Sequence, residues 1–188
     1  MRFWRICRRR YAAEAAPGEG ARLYGSRWNS RGLRVVYAST SLALAAVETF
    51  VNLEPNLQPK DLVSIEGEVP DELEIGRLDP GSLPSNWHET RNETLRRFGD
   101  EWIRAGRTVA LVVPSAAIRG EWNVLLNPVH IHFHRIKFGA VGLGLMRGCS
   151  TSGEAAAWAI QLVRERGALH PSAAGSDPNP RQSSKVTR

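Results

Sequence analysis

An α+β fold, with a compact mixed sheet and flanking helices, is what this sequence predicts. Three observations carry the prediction. Short runs of strand length recur as far as residue 138, two longer runs have helical spacing, and Gly, Pro and Asp punctuate them.

Residues 2–6 alternate and predict a first strand. Arg8, Arg9 and Arg10 lead into a loop over Ala12–Glu19 that contains Pro17 and Gly18. Residues 22–24 predict a short strand before a turn at Arg27, and Val35–Ala38 reads as a buried strand. Ser39, Thr40 and Ser41 are N-cap candidates for a helix over 41–53. Its apolar stripe is 42, 45, 46, 50 and 53; Glu48 lies off it, where it can look along the helix edge into a cleft. Pro55 and Pro59 close that helix. Asp61–Val69 alternates as a strand with one buried face, and residues 72–78 predict another. Asp79-Pro80-Gly81 is a turn, and Pro84–Trp87 continues a loop. Thr90–Ala105 predicts a helix with Leu95, Phe98, Trp102 and Ile103 on one side and Gly106 past its end. Thr108–Val113 is apolar enough for a central strand, which delivers Ser115 to a strand end. After Glu121–Pro128 a last strand is predicted over 129–138, with His130, His132 and His134 on one face.

Bulk properties narrow the function. The chain has 188 residues, 42% hydrophobic and 23% charged, which fits one globular domain with a real core. Two distant cysteines, Cys7 and Cys149, make no disulfide framework and suit a reducing cytoplasm. The N-terminus lacks the apolar core of a secretory signal, and no run is long enough to span a bilayer. The net charge of +6 is uneven: residues 1–34 carry nine Arg against two Glu, residues 35–138 ten Lys/Arg against fourteen Asp/Glu, and the rest six against three. An acidic middle argues against a broad nucleic-acid-binding face and for a focused anion pocket near the N-terminal third. Three histidines on one strand face have the chemistry for zinc, but no carboxylate or cysteine is spaced to complete a site, so no metal is expected. The glycines of Gly139–Gly144 lack the helix pattern of a dinucleotide fingerprint.

The stretch Tyr24-Gly25-Ser26-Arg27-Trp28-Asn29 carries the chemistry. Arginine in a Gly/Ser/Asn turn can grip a phosphate with two parallel hydrogen bonds. Tyr37 ends an apolar run and offers a ring to a pocket mouth, and Glu48 offers charge that matters as a reaction proceeds. Each also has a plainer reading: a surface cation stacked on an indole, a core ring, a solvated helix carboxylate.

Together these residues resemble the RES domain, the toxin half of bacterial RES–Xre toxin–antitoxin modules. Arg27, Glu48 and Ser115 fit the Arg, Glu and Ser of that family, and Asn123–His130 fits its N-x-L-x-N-P-x-H pattern. The match covers residues 1–138. The resemblance implies a fold similar to ADP-ribosyltransferase toxins and an enzyme that cleaves the nicotinamide–ribose bond of NAD. Water or inorganic phosphate would be the acceptor, NAD the substrate, and no cofactor would be needed. It further implies an Xre-like antitoxin partner and a homodimer. Glu48 would stabilise the positive charge left on the ribose, and Arg27 would hold the pyrophosphate or a phosphate acceptor. Tyr37 would pack on nicotinamide, and Ser115 would bond the ribose or orient Arg27. Trp28, Asn29 and Asn127 would shape the pocket.

The resemblance ends near residue 139. Family members finish on an apolar strand ending D-x-R-L, whereas this chain reads Leu143-Gly144-Leu145-Met146-Arg147-Gly148-Cys149. The codons GAT GCG CGG CTG encode Asp-Ala-Arg-Leu; read one base later they begin Met-Arg-Gly-Cys. A reading-frame change near 139–145 is therefore expected, with 139–170 atypical, the final strand lost, its neighbour unpaired and activity impaired. Glu154–Arg166 predicts a helix, and residues 171–188, rich in Pro, Ser, Gly and Asn, predict a disordered tail. Two other functions compete: ADP-ribose transfer to a protein, and a basic nucleic-acid-binding module using Arg2–Arg10 and the tail.

Overall fold

The computed structural model describes residues 1–13, 15–53, 61–89 and 92–142. Its strands are β1 (Arg2–Arg8), β2 (Val36–Ser39), β3 (Leu62–Glu68), β4 (Ile75–Arg77), β5 (Ala110–Pro114), β6 (Trp122–Leu126) and β7 (Lys137–Gly142). They form one seven-stranded sheet in the order β4-β5-β6-β2-β1-β3-β7. Only β4 and β5 pair in parallel; the other neighbours are antiparallel, so the sheet is mixed as the sequence predicts.

Strand alternation builds two apolar clusters. Phe3, Val36, Ala38, Val124 and Leu126 belong to one, while Val35, Leu111, Val113 and Leu125 join Trp28, Leu95 and Ile103 in the other. Leu95 and Ile103 come from α3 (Glu93–Ala105), so that helix packs on the second cluster. Asn92 caps its start by accepting from the N–H groups of Thr94 and Leu95, and Gly106 ends it at φ 56°. Phe98 is 37% exposed; Gly99 and Asp100 are buried in its place.

Gly99 is where the helix meets the Trp28 turn. A Cβ there would lie 1.8 Å from the Trp28 carbonyl oxygen, so only glycine permits the approach. Asp100 completes the junction by accepting from the Ser30 N–H at 2.8 Å.

Helix α2 (Leu42–Val51) begins at Ser41, whose side chain accepts from the Leu44 N–H at 3.1 Å. Its buried side is Leu44, Ala45 and Phe50; Leu42, placed on the stripe by sequence spacing, is 38% exposed. Pro55, Pro59, Thr90, the helix expected over 154–166 and the tail lie outside the described residues.

Two expectations are corrected and one strand is added. Residues 22–24 belong to a helix, α1 (Glu19–Tyr24), held by the Arg22–Glu19 pair one turn apart and ended by Gly25 at φ 67°. Trp122–Leu126 is a strand that had no assignment. Residues 129–136 are not a strand: successive bonds from the N–H groups of His130, Phe133 and Ile136 to carbonyls three residues back coil the chain. His130, His132 and His134 therefore share a turn rather than a strand face, with His130 and His132 rings 5.5 Å apart. Burial and the neighbouring His132 push His130 below its ordinary value. β7 follows and pairs with β3 from Glu68↔Lys137 to Ser64↔Gly142, and the segment past residue 142, on which the expected loss of the final strand falls, lies outside the described residues.

Gly99→Ala tests the helix–turn junction. Overpacking against the Trp28 carbonyl should lower unfolding free energy by about 1–3 kcal/mol in urea titration, and an unchanged midpoint would show that the turn is not pinned there.

Candidate active site

Strands β1 and β2 share one registered pair, Trp4↔Ser39. Where they part, a cleft of about 820 Å³ opens, lined from both strands, from the Arg27 turn and from α2. Arg27, Tyr37 and Glu48, spread over three segments of sequence, all face it.

Glu48 is fixed in place. Its Oε1 accepts from the Ser115 hydroxyl at 2.6 Å and from Asn123 Nδ2 at 2.5 Å. The Ser115 oxygen in turn accepts from the N–H groups of Ala117 and Ile118, both at 3.1 Å, so its one proton is directed at the carboxylate. Asn123 is oriented by the Ser39 hydroxyl, which donates to its Oδ1 at 2.7 Å. This is possible because Ser39 and Asn123 are register partners across β2 and β6. Ser115 thus orients Glu48, not Arg27.

Arg27 is half-buried, and its Nη1 donates to the carbonyls of Trp87 at 3.1 Å and Glu89 at 2.6 Å. Burial lowers its pKa, while Glu48 and Tyr37 act in the opposite sense. Arg27 and Glu48 occupy one cleft as an opposed cation and anion.

Tyr37 divides its functions. Its hydroxyl donates to Asn29 Oδ1 at 2.8 Å and accepts from the Trp28 N–H at 3.2 Å. Burial pushes its phenol well up from the ordinary tyrosine value. Its ring is packed beside the second apolar cluster and lines the cleft. Asn29 is fully buried and donates to the carbonyls of Ala21, Ser30 and Leu33, so it shapes the turn from within. Trp28 is 3% exposed and is chiefly core, with its ring edge-on to Phe98 at 6.4 Å. Asn127 is not among the cleft-lining residues. It is buried at the other end of β6, donating to the Ile103 carbonyl and accepting from the Val129 N–H, and so ties α3 to the turn after β6. Among the described residues no group of His, Cys, Asp or Glu is arranged to hold a metal ion, the three histidines included.

Asn123, Ser39 and Arg5 were not singled out from sequence as site residues. Asn123 stood inside the N-x-L-x-N-P-x-H stretch, and assigning β6 would have placed it opposite Ser39. Arg5 reaches across the strand gap and donates from Nη1 to the Tyr37 carbonyl at 2.8 Å.

A mixed sheet opened at one seam, with a held carboxylate and an arginine lining the same opening, defines an α+β protein built around a polar cleft. The RES domain matches residues 2–142, and the chain belongs to that family. It is 41% identical over 133 residues to the "Prs ADP-ribosylating toxin" of a Sphingobium strain, covering 68% of this chain and 83% of that protein. It is 37% identical over 136 residues to "Toxin Res" of Photorhabdus laumondii, covering 72% of this chain and 86% of that one. Among solved structures it resembles a chain of the M. tuberculosis MbcT–MbcA toxin–antitoxin complex, with a TM-score of 0.61 at 17% identity, covering 87% of this chain and 88% of the other. Among the described residues, no helix is long and apolar enough to cross a membrane.

Tyr37→Phe tests the turn's inner scaffold. The Asn29 carboxamide oxygen loses its hydroxyl donor, which should cost about 1–3 kcal/mol of stability at neutral pH. The pH dependence has a definite sign. Because the folded phenol is raised, the unfolded chain loses that proton first, so native stability falls as pH climbs past about 10. Urea titrations should show Tyr37→Phe lacking that alkaline component; an identical alkaline loss in both proteins would sink the assignment.

Proposed function

We propose that this chain is the toxin of a toxin–antitoxin pair, and that it degrades NAD by cleaving the nicotinamide–ribose bond with water or phosphate as acceptor. One observation carries the reading: the Glu48 carboxylate is clamped by Ser115 and Asn123 in the same cleft as Arg27. When the glycosidic bond breaks, its electron pair leaves with nicotinamide and positive charge spreads over the ribose. A carboxylate already held beside that ribose needs no reorganisation to stabilise the charge, so its effect falls on the transition state. The acceptor oxygen then bonds to the anomeric carbon: water releases one proton to solvent, whereas a phosphate dianion bonds through an unprotonated oxygen and has none to release at that step.

In this reading Arg27 grips phosphate oxygens with the donors not used on Trp87 and Glu89, and the Tyr37 ring packs on nicotinamide. An antitoxin partner is supported by the toxin–antitoxin complex that shares the fold. A second reading, transfer of ADP-ribose to a protein, is favoured by the name of the Sphingobium relative. The two readings share the bond broken and differ in the acceptor.

Glu48→Gln retains an oxygen for Ser115 and Asn123 but removes the charge, so it should fold normally and lose about 100-fold or more in turnover. Arg27→Lys should also fail, because an ammonium cannot reproduce the planar fork. NMR of purified protein with NAD, with and without inorganic phosphate, follows nicotinamide release. Free ADP-ribose or its phosphate supports NAD degradation, and a modified protein band supports transfer. Turnover by Glu48→Gln at the unmutated rate would end the proposal.

A further inference from the structure

The coiled segment between β6 and β7 is organised around His130. Its backbone N–H donates to the Asn127 carbonyl at 3.1 Å, and its own carbonyl accepts from the Phe133 N–H at 2.9 Å. The side chain adds a third bond: Nδ1 accepts from the His132 backbone N–H at 3.0 Å. A backbone N–H can only donate, so Nδ1 carries no proton in this arrangement. The ring is therefore neutral, with its proton on Nε2. Backbone groups of Gly106 and Arg107, just past α3, favour a proton on this ring. Carbonyls that accept from Nε2 have that effect.

The neighbouring histidines differ. His134 Nδ1 lies 2.9 Å from the Ile131 carbonyl, which can only accept, so that nitrogen already holds a proton. A proton on its other nitrogen leaves that bond intact. His132 contributes its backbone N–H, which does not titrate. His130 itself lines a cavity of about 350 Å³. The charged and titratable groups around it are Glu72 and Glu74 from the segment between β3 and β4, Arg107 after α3, and His132 and Arg135 on the turn. Arg135 binds Glu72 at 2.5 Å, which leaves Glu74 opposite Arg107. A proton arriving on His130 thus meets as much positive as negative charge. Burial and His132 keep its pKa below the ordinary histidine value.

We propose that His130 is an acid-released latch: as a neutral imidazole it fastens the turn over residues 128–136 to the end of α3, and protonation at Nδ1 frees that turn. The incoming proton takes up the Nδ1 lone pair and sets N–H against N–H, so the His132 amide loses its acceptor and turns to water. Because the closed turn holds the lowered pKa, the open turn binds the proton more readily. Closure is therefore fully favoured above the ordinary histidine value of about 6.5, and weakens as pH falls from there through the closed-turn value. Asn127, which donates to the Ile103 carbonyl, is an amide and does not titrate, so the opening stops at the turn. The turn follows Asn127, at the opposite end of β6 from Asn123, so the latch acts apart from the cleft whatever substrate the cleft takes.

The test is NMR of ¹⁵N-labelled protein from about pH 8 to about pH 5. At the alkaline end the His130 ring should carry its proton on Nε2 and none on Nδ1. On acidification the exchange protection factor of the His132 amide should fall by up to about tenfold per pH unit below about 6.5, until His130 is protonated. The amides of β6 should keep theirs. His130→Asn supplies a carboxamide oxygen that can accept from the N–H two residues on and cannot titrate, so it should keep the His132 amide protected throughout. His130→Ala should leave that amide unprotected at every pH. A proton on Nδ1 at the alkaline end overturns the proposal, and so does His132 protection that acid leaves unchanged. An acid loss in His130→Asn equal to that of the unmutated chain overturns it too. The ring tautomer and the amide are read on the unmutated chain, so they decide even where a variant fails to fold.

Discussion

The Glu48 carboxylate bound by Ser115 and Asn123 is the contact on which the site depends. It joins α2 to the end of β5 and to β6, over sequence separations of 67 and 75 residues. No local preference could bring these groups together. A carboxylate on a free helix edge would wander among rotamers and point into water. Two donors at hydrogen-bond distance select one orientation, and those donors are themselves fixed by backbone amides and by Ser39. The sheet order places β6 beside both β5 and β2, which delivers Ser115, Asn123 and Ser39 to the same end of the sheet.

The cleft exists because the sheet is incomplete in one place. The seven strands run in continuous ladders on either side of a seam, β4, β5, β6 and β2 on one side and β1, β3 and β7 on the other. Across the seam the ladder is reduced to Trp4↔Ser39. Backbone groups released there need partners, and the Arg5 bond to the Tyr37 carbonyl supplies one. The Arg27 turn closes the cleft from a second direction, pinned to α3 through Gly99 and Asp100.

Much of this could be read from the sequence, for identifiable reasons. Ser41 caps α2 and Gly106 ends α3 through short-range geometry that residue type alone announces. Arg27, Tyr37 and Glu48 stood out because their types are out of place in their stretches, and the structure gathers all three. The failures come from period-two patterns without tertiary context. His130, His132 and His134 alternate like a strand, but the turn opened by Asn127 coils the chain before a ladder can form. Residues 22–24 are too few for spacing to separate strand from helix, and the Glu19–Arg22 pair settles the matter. Asn29 and Asn127 are polar residues that sequence reading assigned to the pocket. Both are buried fasteners, since a carboxamide inside a protein is satisfied chiefly by backbone groups.

How the arginines are tethered explains why the cleft can remain positive. Arg2, Arg8, Arg22 and Arg34 are bound to carboxylates, which cancel their charge and tie up much of the basic excess of the first third of the chain. Arg27, Arg5 and Arg96 are held instead by backbone carbonyls. A carbonyl is a dipole: it fixes the direction of a guanidinium without neutralising it. The side chain gives up rotamer freedom while the protein folds, and its full charge is kept for a ligand. Glu48 is treated in the same way, held by a hydroxyl and an amide rather than by a cation. Neutral partners thus hold cation and anion in one opening without an ion pair between Arg27 and Glu48 among the contacts described.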